Sequence, residues 1–210
     1  MEEKINTIKN WLGTGSINMF GRPFAGKDTQ GEILAEYFGA TLIAGGDILR
    51  SYHDQDRIKE LMSTGDLFPS DFYLSIVLPY LSSENIKNQP IILSTVGRMK
   101  GEESTILQAT EESGHPMKAV VLLDLSEQEV LDRFQATRNL GDRGIREDDN
   151  HDALENRLVK FREQTLPVIE VYRQKGLLIE VDGKLSREEV TQEIITKLYE
   201  KANLAKVIDK

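Results

Sequence analysis

The chain has 210 residues, no cysteine and a formal net charge of −9. That length suits one domain with a full hydrophobic core, and the lack of cysteine excludes disulfides, cysteine-held zinc and thiol catalysis. The acidic balance argues against a nucleic-acid surface, which generally needs a basic face, but small anions remain open where a few arginines converge.

The opening residues, Met1-Glu-Glu-Lys-Ile-Asn6, lack the basic and apolar regions of a secretory signal. No apolar run approaches membrane length, so the expected location is the cytoplasm. A monomer is expected. Residues 1–14 read as a short N-terminal helical extension ahead of a single domain over 15–210. The first strand is expected at Ser16–Phe20 and a second at Thr41–Ile43. Residues 45–85 follow, about 40 residues and largely helical, with a turn at Ser63-Thr-Gly-Asp66; this is too long for one crossover and reads as a helical insertion. Further strands are expected at Ile91–Ser94 and Met117–Leu123. Ser126-Glu-Gln-Glu129 then spells a capping box opening a helix. Residues 139–150 are polar and glycine-punctuated, as surface loops are. Residues 151–175 carry Leu154, Leu158, Phe161, Val168 and Tyr172 on one stripe, with Pro167 expected to kink the helix. A fifth strand at Leu177–Val181 precedes a second capping box, Ser186-Arg-Glu-Glu189. Short Ile/Val/Leu-rich strands alternating with helices predict a three-layer α/β fold around a parallel sheet of about five strands. His53, His115 and His151 are scattered, lack metal-ligand spacing and read as surface residues.

The strongest chemical signal follows the first strand. Gly21 and Gly26-Lys27 have the spacing G-x-x-x-x-G-K of a phosphate-binding loop. Glycines let successive backbone N–H groups face one phosphate, the lysine reaches the outer phosphates, and the next helix adds its N-terminal dipole. A nucleoside triphosphate is the expected substrate. No Asn-Lys-x-Asp guanine-reading motif is present. Asp28 stands where such loops usually carry a Ser or Thr for magnesium.

Gly21-x-Pro23-x-Ala25-Gly26-Lys27-x-Thr29-Gln30 resembles the loop of the adenylate kinase family, G-x-P-G-x-G-K-G-T-Q. Gly46-Asp47-Ile48-Leu49-Arg50, Gly65-Asp-Leu-Phe-Pro-Ser-Asp71 and Arg146-Glu-Asp-Asp-Asn150 with Arg157 resemble further family segments, in order, from about residue 16 to 200. The resemblance implies a P-loop NTPase core, a monophosphate-binding insertion at 45–85 and a short lid at 139–150. It implies that Gly21, Arg22, Pro23, Phe24, Ala25, Gly26, Lys27, Asp28 and Thr29 hold ATP, with Arg133, Thr137 and Arg138. It implies an acceptor site of Gly45, Arg50, Leu67, Phe68, Gly97, Arg98, Glu102, Arg146 and Arg157. Lys27, Arg98, Arg138, Arg146 and Arg157 would serve catalysis, because two polyanions must be neutralised and held in line. Lid closure would exclude water, a motion for which this family is itself a standard example. Mg2+ is the implied cofactor, without zinc.

Several positions depart from the family. Phe24 and Asp28 replace loop glycines, and Ser94-Thr-Val-Gly-Arg98 stands where the family has D-G-F-P-R, with an aspartate that holds magnesium through water. Asp28 is the candidate to restore that carboxylate. Glu102 replaces a glutamine and Gly45 a threonine near the acceptor base. An ionised glutamate only accepts hydrogen bonds, which would suit guanine; the alternative is a solvated residue in a helix's first turn. The expected activity is phosphoryl transfer from ATP to a nucleoside monophosphate, AMP first, with GMP or another monophosphate open. The alternatives are a weak or inactive nucleotide-binding regulator of the same fold, or a kinase of another small acceptor.

Overall fold

The computed structural model describes residues 1–140 and 150–208. Five strands, β1 (Ser16–Gly21), β2 (Thr41–Ala44), β3 (Ile91–Ser94), β4 (Met117–Asp124) and β5 (Leu178–Asp182), form one parallel sheet in the order β2-β3-β1-β4-β5. Side chains alternate between the sheet's faces. Ile17, Met19, Ile92, Ala119, Val121, Leu123 and Val181 build one core, and Phe20, Ile91, Leu93, Val120 and Leu122 the other. Burial on both faces explains why the strands are apolar runs and not alternating ones.

The first core is covered by α1 (Glu2–Leu12), α2 (Lys27–Phe38), α7 (Glu127–Leu140), α8 (His151–Lys160) and α10 (Arg187–Ile208). The N-terminal segment contributes Ile8 and Leu12 to this core. The second core lies under α3 (Gly45–Ser51), α4 (Gln55–Ser63), α5 (Ser70–Leu81), α6 (Glu102–Glu112) and α9 (Leu166–Gln174). Both capping boxes form: Ser126 N–H donates to Glu129 and Ser186 N–H to Glu189, each returned by a backbone N–H to the serine hydroxyl.

The helical stretch around Pro167 has a feature of its own, and one expectation, for His115, needs correction. Helical residues run without a break from His151 to Gln174, and Pro167 sits in the first turn of α9, just after a π-helical turn at Phe161–Thr165 that lies between α8 and α9. An extra residue in the turn accommodates a proline that lacks an N–H donor. His115 is not a surface residue. It is 2% exposed, and its Nδ1 is 2.8 Å from the Thr14 carbonyl oxygen, joining the turns before β1 and β4.

Within the sheet, the chain moves from β1 to β2 and β3 on one side, then crosses to β4 on the other. Such a reversal leaves a crevice outside the strands' carboxyl ends, where open α/β sheets bind ligands. Gly21, Ala44 and Ser94, the last residues of β1, β2 and β3, all face that crevice. Among the described residues, no helix is long and apolar enough to cross a membrane.

Candidate active site

Between β1 and α2 the chain folds into a tight anion-facing loop. Gly21 ends β1 so close to β4 that a Cβ would lie 2.8 Å from the Leu123 carbonyl oxygen. Gly26 caps α2 in the left-handed region at φ 86°. Lys27 folds back and donates to the Arg22 carbonyl at 2.9 Å, a contact that phosphate oxygens can replace. Thr29 lies half-buried in the first turn of α2. Gln30 is buried; its amide donates to the Arg187 carbonyl and accepts from the Thr191 hydroxyl, fixing α2 to α10.

Lys27 and Asp28 line a cleft of about 120 Å³ together with Gly45, Arg50, Gly65, Phe68, Tyr73, Ser94, Arg98 and Arg157. Lys27, Arg98 and Arg157 also line an adjoining pocket beside Gly21, Pro23 and Leu67. Three chain-distant cations therefore converge at the loop, although the protein as a whole is acidic. Arg50 pairs with Asp47 at the outer edge. Arg98 is held by its own backbone: the Thr165 hydroxyl in the π turn donates to its carbonyl at 3.1 Å. Met62, Leu49, Phe68 and Tyr73 supply an apolar wall opposite the cations. The cleft thus combines cationic and apolar lining.

A family model described as "Adenylate kinase" matches residues 19–177. The chain belongs to the adenylate kinase family. An adenylate kinase of Azobacteroides pseudotrichonymphae genomovar. CFP2 is 33% identical over 189 residues, covering 87% of this chain and 96% of that protein. One from Thermobifida fusca (strain YX) is 30% identical over 191 residues, 89% of this chain and 99% of that protein. One from Thermus thermophilus is 29% identical over 180 residues, 83% of this chain and 92% of that protein. Membership makes the chain a nucleoside monophosphate kinase, and the remaining questions concern its departures from the family.

Two of those departures share a physical signature. Phe24 and Thr95 have φ 61° and φ 55°, and each stands where the family motif has glycine. The backbone keeps the left-handed shape that glycine takes freely, at a cost of about 1–2 kcal/mol for an L residue. Phe24 offsets part of this by packing edge-on against Phe134, with ring centroids 5.5 Å apart. Gly97 has φ 73° where the family motif has proline. Proline fixes φ near −65°, so the turn that carries Arg98 is not the family's prolyl turn. Asn18, a polar residue inside β1, holds that turn: its amide donates to the Val96 carbonyl at 2.7 Å.

Asp28 and Ser94, 66 residues apart, are in direct contact. The Ser94 hydroxyl donates to Asp28 Oδ1 at 2.7 Å. Ser94 is buried, whereas Asp28 is exposed to the cleft.

Not every loop residue faces the cleft. The Arg22 guanidinium turns away, donating to the Leu125 carbonyl at 2.7 Å and to Asp124, and lying over the Phe161 ring. Only its backbone remains with the loop. Ala25 is buried in the core. Arg133 donates to the carbonyls of Phe24 and Gly183, so its guanidinium braces the strained loop. Thr137 donates to the Arg133 carbonyl one helical turn back. The Arg138 side chain and all of Arg146, with most of the expected lid at 139–150, lie outside the described residues.

Two residues of the expected acceptor site stand in unexpected surroundings. Glu102 is 3% exposed, not solvated. It accepts from the Ser70 hydroxyl at 2.7 Å and from Met99 N–H at 3.0 Å. Burial raises its pKa despite those donors and nearby Arg98. Gly45 leaves room for Tyr73: a Cβ there would lie 2.7 Å from the Tyr73 hydroxyl. Among the described residues, that buried hydroxyl has no hydrogen-bond partner. Tyr73 and Ser70 carry no local sequence signal of these roles. Asn18 does, as a polar residue within an apolar strand.

Among the described residues, no group of three or more His, Asp or Glu side chains could hold a metal unaided. A carboxylate with a neighbouring hydroxyl beside a phosphate loop nonetheless fits Mg2+, which keeps several waters and relies on substrate phosphates plus one or two carboxylates.

Proposed function

We propose that this kinase transfers the γ-phosphoryl group of ATP to AMP, giving two molecules of ADP. The observation that carries the reading is the convergence of Lys27, Arg98 and Arg157 on one cleft that runs from the phosphate loop to an apolar wall. In-line transfer breaks the bond between the γ-phosphorus and the oxygen bridging it to the β-phosphate. The bond that forms joins that phosphorus to an oxygen of the acceptor phosphate. The protein needs no covalent intermediate; it must position two polyanions and neutralise charge in the transition state.

The loop amides of residues 21–29 would hold the donor phosphates and Lys27 would follow the moving group. Arg50 and Arg98 would clamp the acceptor phosphate, while Arg157 would bridge donor and acceptor. Arg146 and Arg138 would join them from the lid side. Residues 45–85 would form the acceptor-binding insertion and 139–150 the lid. Bound magnesium would neutralise the donor's outer phosphates, with Asp28 and Ser94 as the nearest side chains.

AMP is favoured over GMP because both Glu102 oxygens already accept hydrogen bonds from the chain itself. A carboxylate so engaged is a poor reader of guanine's two donors. The contact between Asp28 and Ser94 favours a rebuilt metal site over a retired one. The test is diphosphate formation from ATP with AMP, GMP, CMP and UMP in turn. The reading expects AMP to be the best acceptor, and expects Glu102→Gln to leave that order unchanged. A GMP preference that Glu102→Gln reverses would assign Glu102 to base reading instead, and no diphosphate with any acceptor would remove the activity.

A further inference from the structure

P-loop proteins commonly hold magnesium with a hydroxyl from the loop, just after the lysine, and an aspartate from outside it. In this chain the loop position is a carboxylate, Asp28. The hydroxyl is Ser94, the last residue of β3, the strand beside β1. The two groups touch at 2.7 Å. We infer that the metal-facing pair has been exchanged between loop and strand: Asp28 supplies the carboxylate, and Ser94 is the positioning residue that holds it. This rests on the reading of the cleft as an ATP site.

Three features support the exchange. Ser94 is 3% exposed and fixed in the sheet, so its hydroxyl is a rigid donor. It takes up Oδ1, which restricts rotation of the Asp28 carboxylate in the first turn of α2. The other carboxylate lining the cleft, Asp66, is paired with Lys160 at 3.1 Å. Asp28, by contrast, lies beside the phosphate loop, next to Lys27. One carboxylate and one hydroxyl form the same donor set as the common arrangement, with the two positions reversed.

A reversed pair makes a reciprocal prediction. Serine at 28 leaves two hydroxyls and no carboxylate. Aspartate at 94 sets two carboxylates within hydrogen-bond distance, and like charges repel. Changing both restores one of each.

The experiment measures ATP affinity by calorimetry, with Mg2+ and with a chelator, for the full chain and for Asp28→Ser, Ser94→Asp, the double variant and the isosteric Asp28→Asn. No turnover is needed. In wild type, Mg2+ should tighten ATP binding. Asp28→Asn and Asp28→Ser should lose at least about tenfold of that Mg2+-dependent gain, yet bind metal-free ATP as well as or better than wild type, since a charge facing the phosphates has gone. A merely structural role would weaken binding equally in both conditions. Ser94→Asp should bind metal-free ATP worse, and the double variant should recover most of the Mg2+-dependent gain. Should Asp28→Asn keep that gain, or should the double variant do no better than the worse single one, the exchange is wrong while the kinase reading stands. Wild type that binds no ATP in either condition would overturn both.

Discussion

The donor and acceptor sides of the cleft are held in different ways. On the donor side, the contacts run into the sheet and into helices packed on it. Phe24 and Thr95 keep left-handed backbones, Arg133 braces the Phe24 carbonyl, Asn18 ties down Val96, and Ser94 fixes Asp28. On the acceptor side, the Ser63–Asp66 turn docks on α8 through Asn156 donating to the Thr64 carbonyl, the Lys160–Asp66 pair, and Gly65 lying against the Ala153 backbone. Most of these are half-exposed polar contacts, which are individually weak. One side is tied directly to the sheet and its helices, whereas the turn on the other side meets α8 mainly through exposed polar contacts. That is the division of labour expected where a rigid phosphate grip meets a segment that must admit and discharge a second nucleotide.

The largest expected effect lies at the docked side. Gly65 has φ 71°, and a Cβ there would lie 2.4 Å from the Ala153 carbonyl oxygen. Gly65→Ala cannot be relieved by moving a side chain, and strain of about 1–3 kcal/mol is expected there. Steady-state kinetics should show the acceptor KM rising roughly tenfold or more while the KM for ATP stays close to wild type. Equal rises in both would mean that the turn supports the whole cleft and the two sides are not separable.

A smaller effect is expected at the fixed side. Thr95→Gly removes a β-branched residue from φ 55°. Relief of about 1–2 kcal/mol, less about 0.4–1 kcal/mol for glycine's extra freedom in the unfolded chain, predicts a modest gain in stability by denaturant melting. A loss would show that Thr95 makes contacts worth more than its strain.

The smallest effect concerns pH. Hydrogen bonding from Asn156, then Lys160, holds the Asp66 carboxyl below the ordinary aspartate range. A lowered carboxyl stabilises the folded form above its unfolded pKa, and that contribution fades as pH falls through the folded value. Acceptor KM should therefore climb as pH drops through and below the ordinary aspartate range, more steeply in wild type than in Asp66→Asn. Parallel profiles would uncouple this pair from docking.

The same contrast explains what the sequence disclosed. All five strands appear within a residue of their expected bounds because buried parallel strands are short apolar runs. Both capping boxes and the phosphate loop were equally legible, since each is local and set by spacing. What stayed hidden depends on distant neighbours. Arg22 reads like a phosphate ligand but is drawn to the end of β4. Glu102 reads either as a reader of the acceptor base or as a solvated first-turn residue, but lies under Ser70 of α5. His115 looks like a surface residue until Thr14 covers it. Gly65 reads as an ordinary turn glycine until the backbone of α8 is seen against it. Asp28 and Ser94 could be paired from the sequence as a loss and a gain, but their contact could not.

That the two sides form one two-nucleotide site can be measured with a bisubstrate analogue, two adenosines joined through a chain of phosphates. Linking the ligands makes the second binding event intramolecular, so the analogue should bind at least about 100-fold more tightly than ATP or AMP alone and compete with both. Affinity no better than that of ATP, with competition against one nucleotide only, would contradict a shared site.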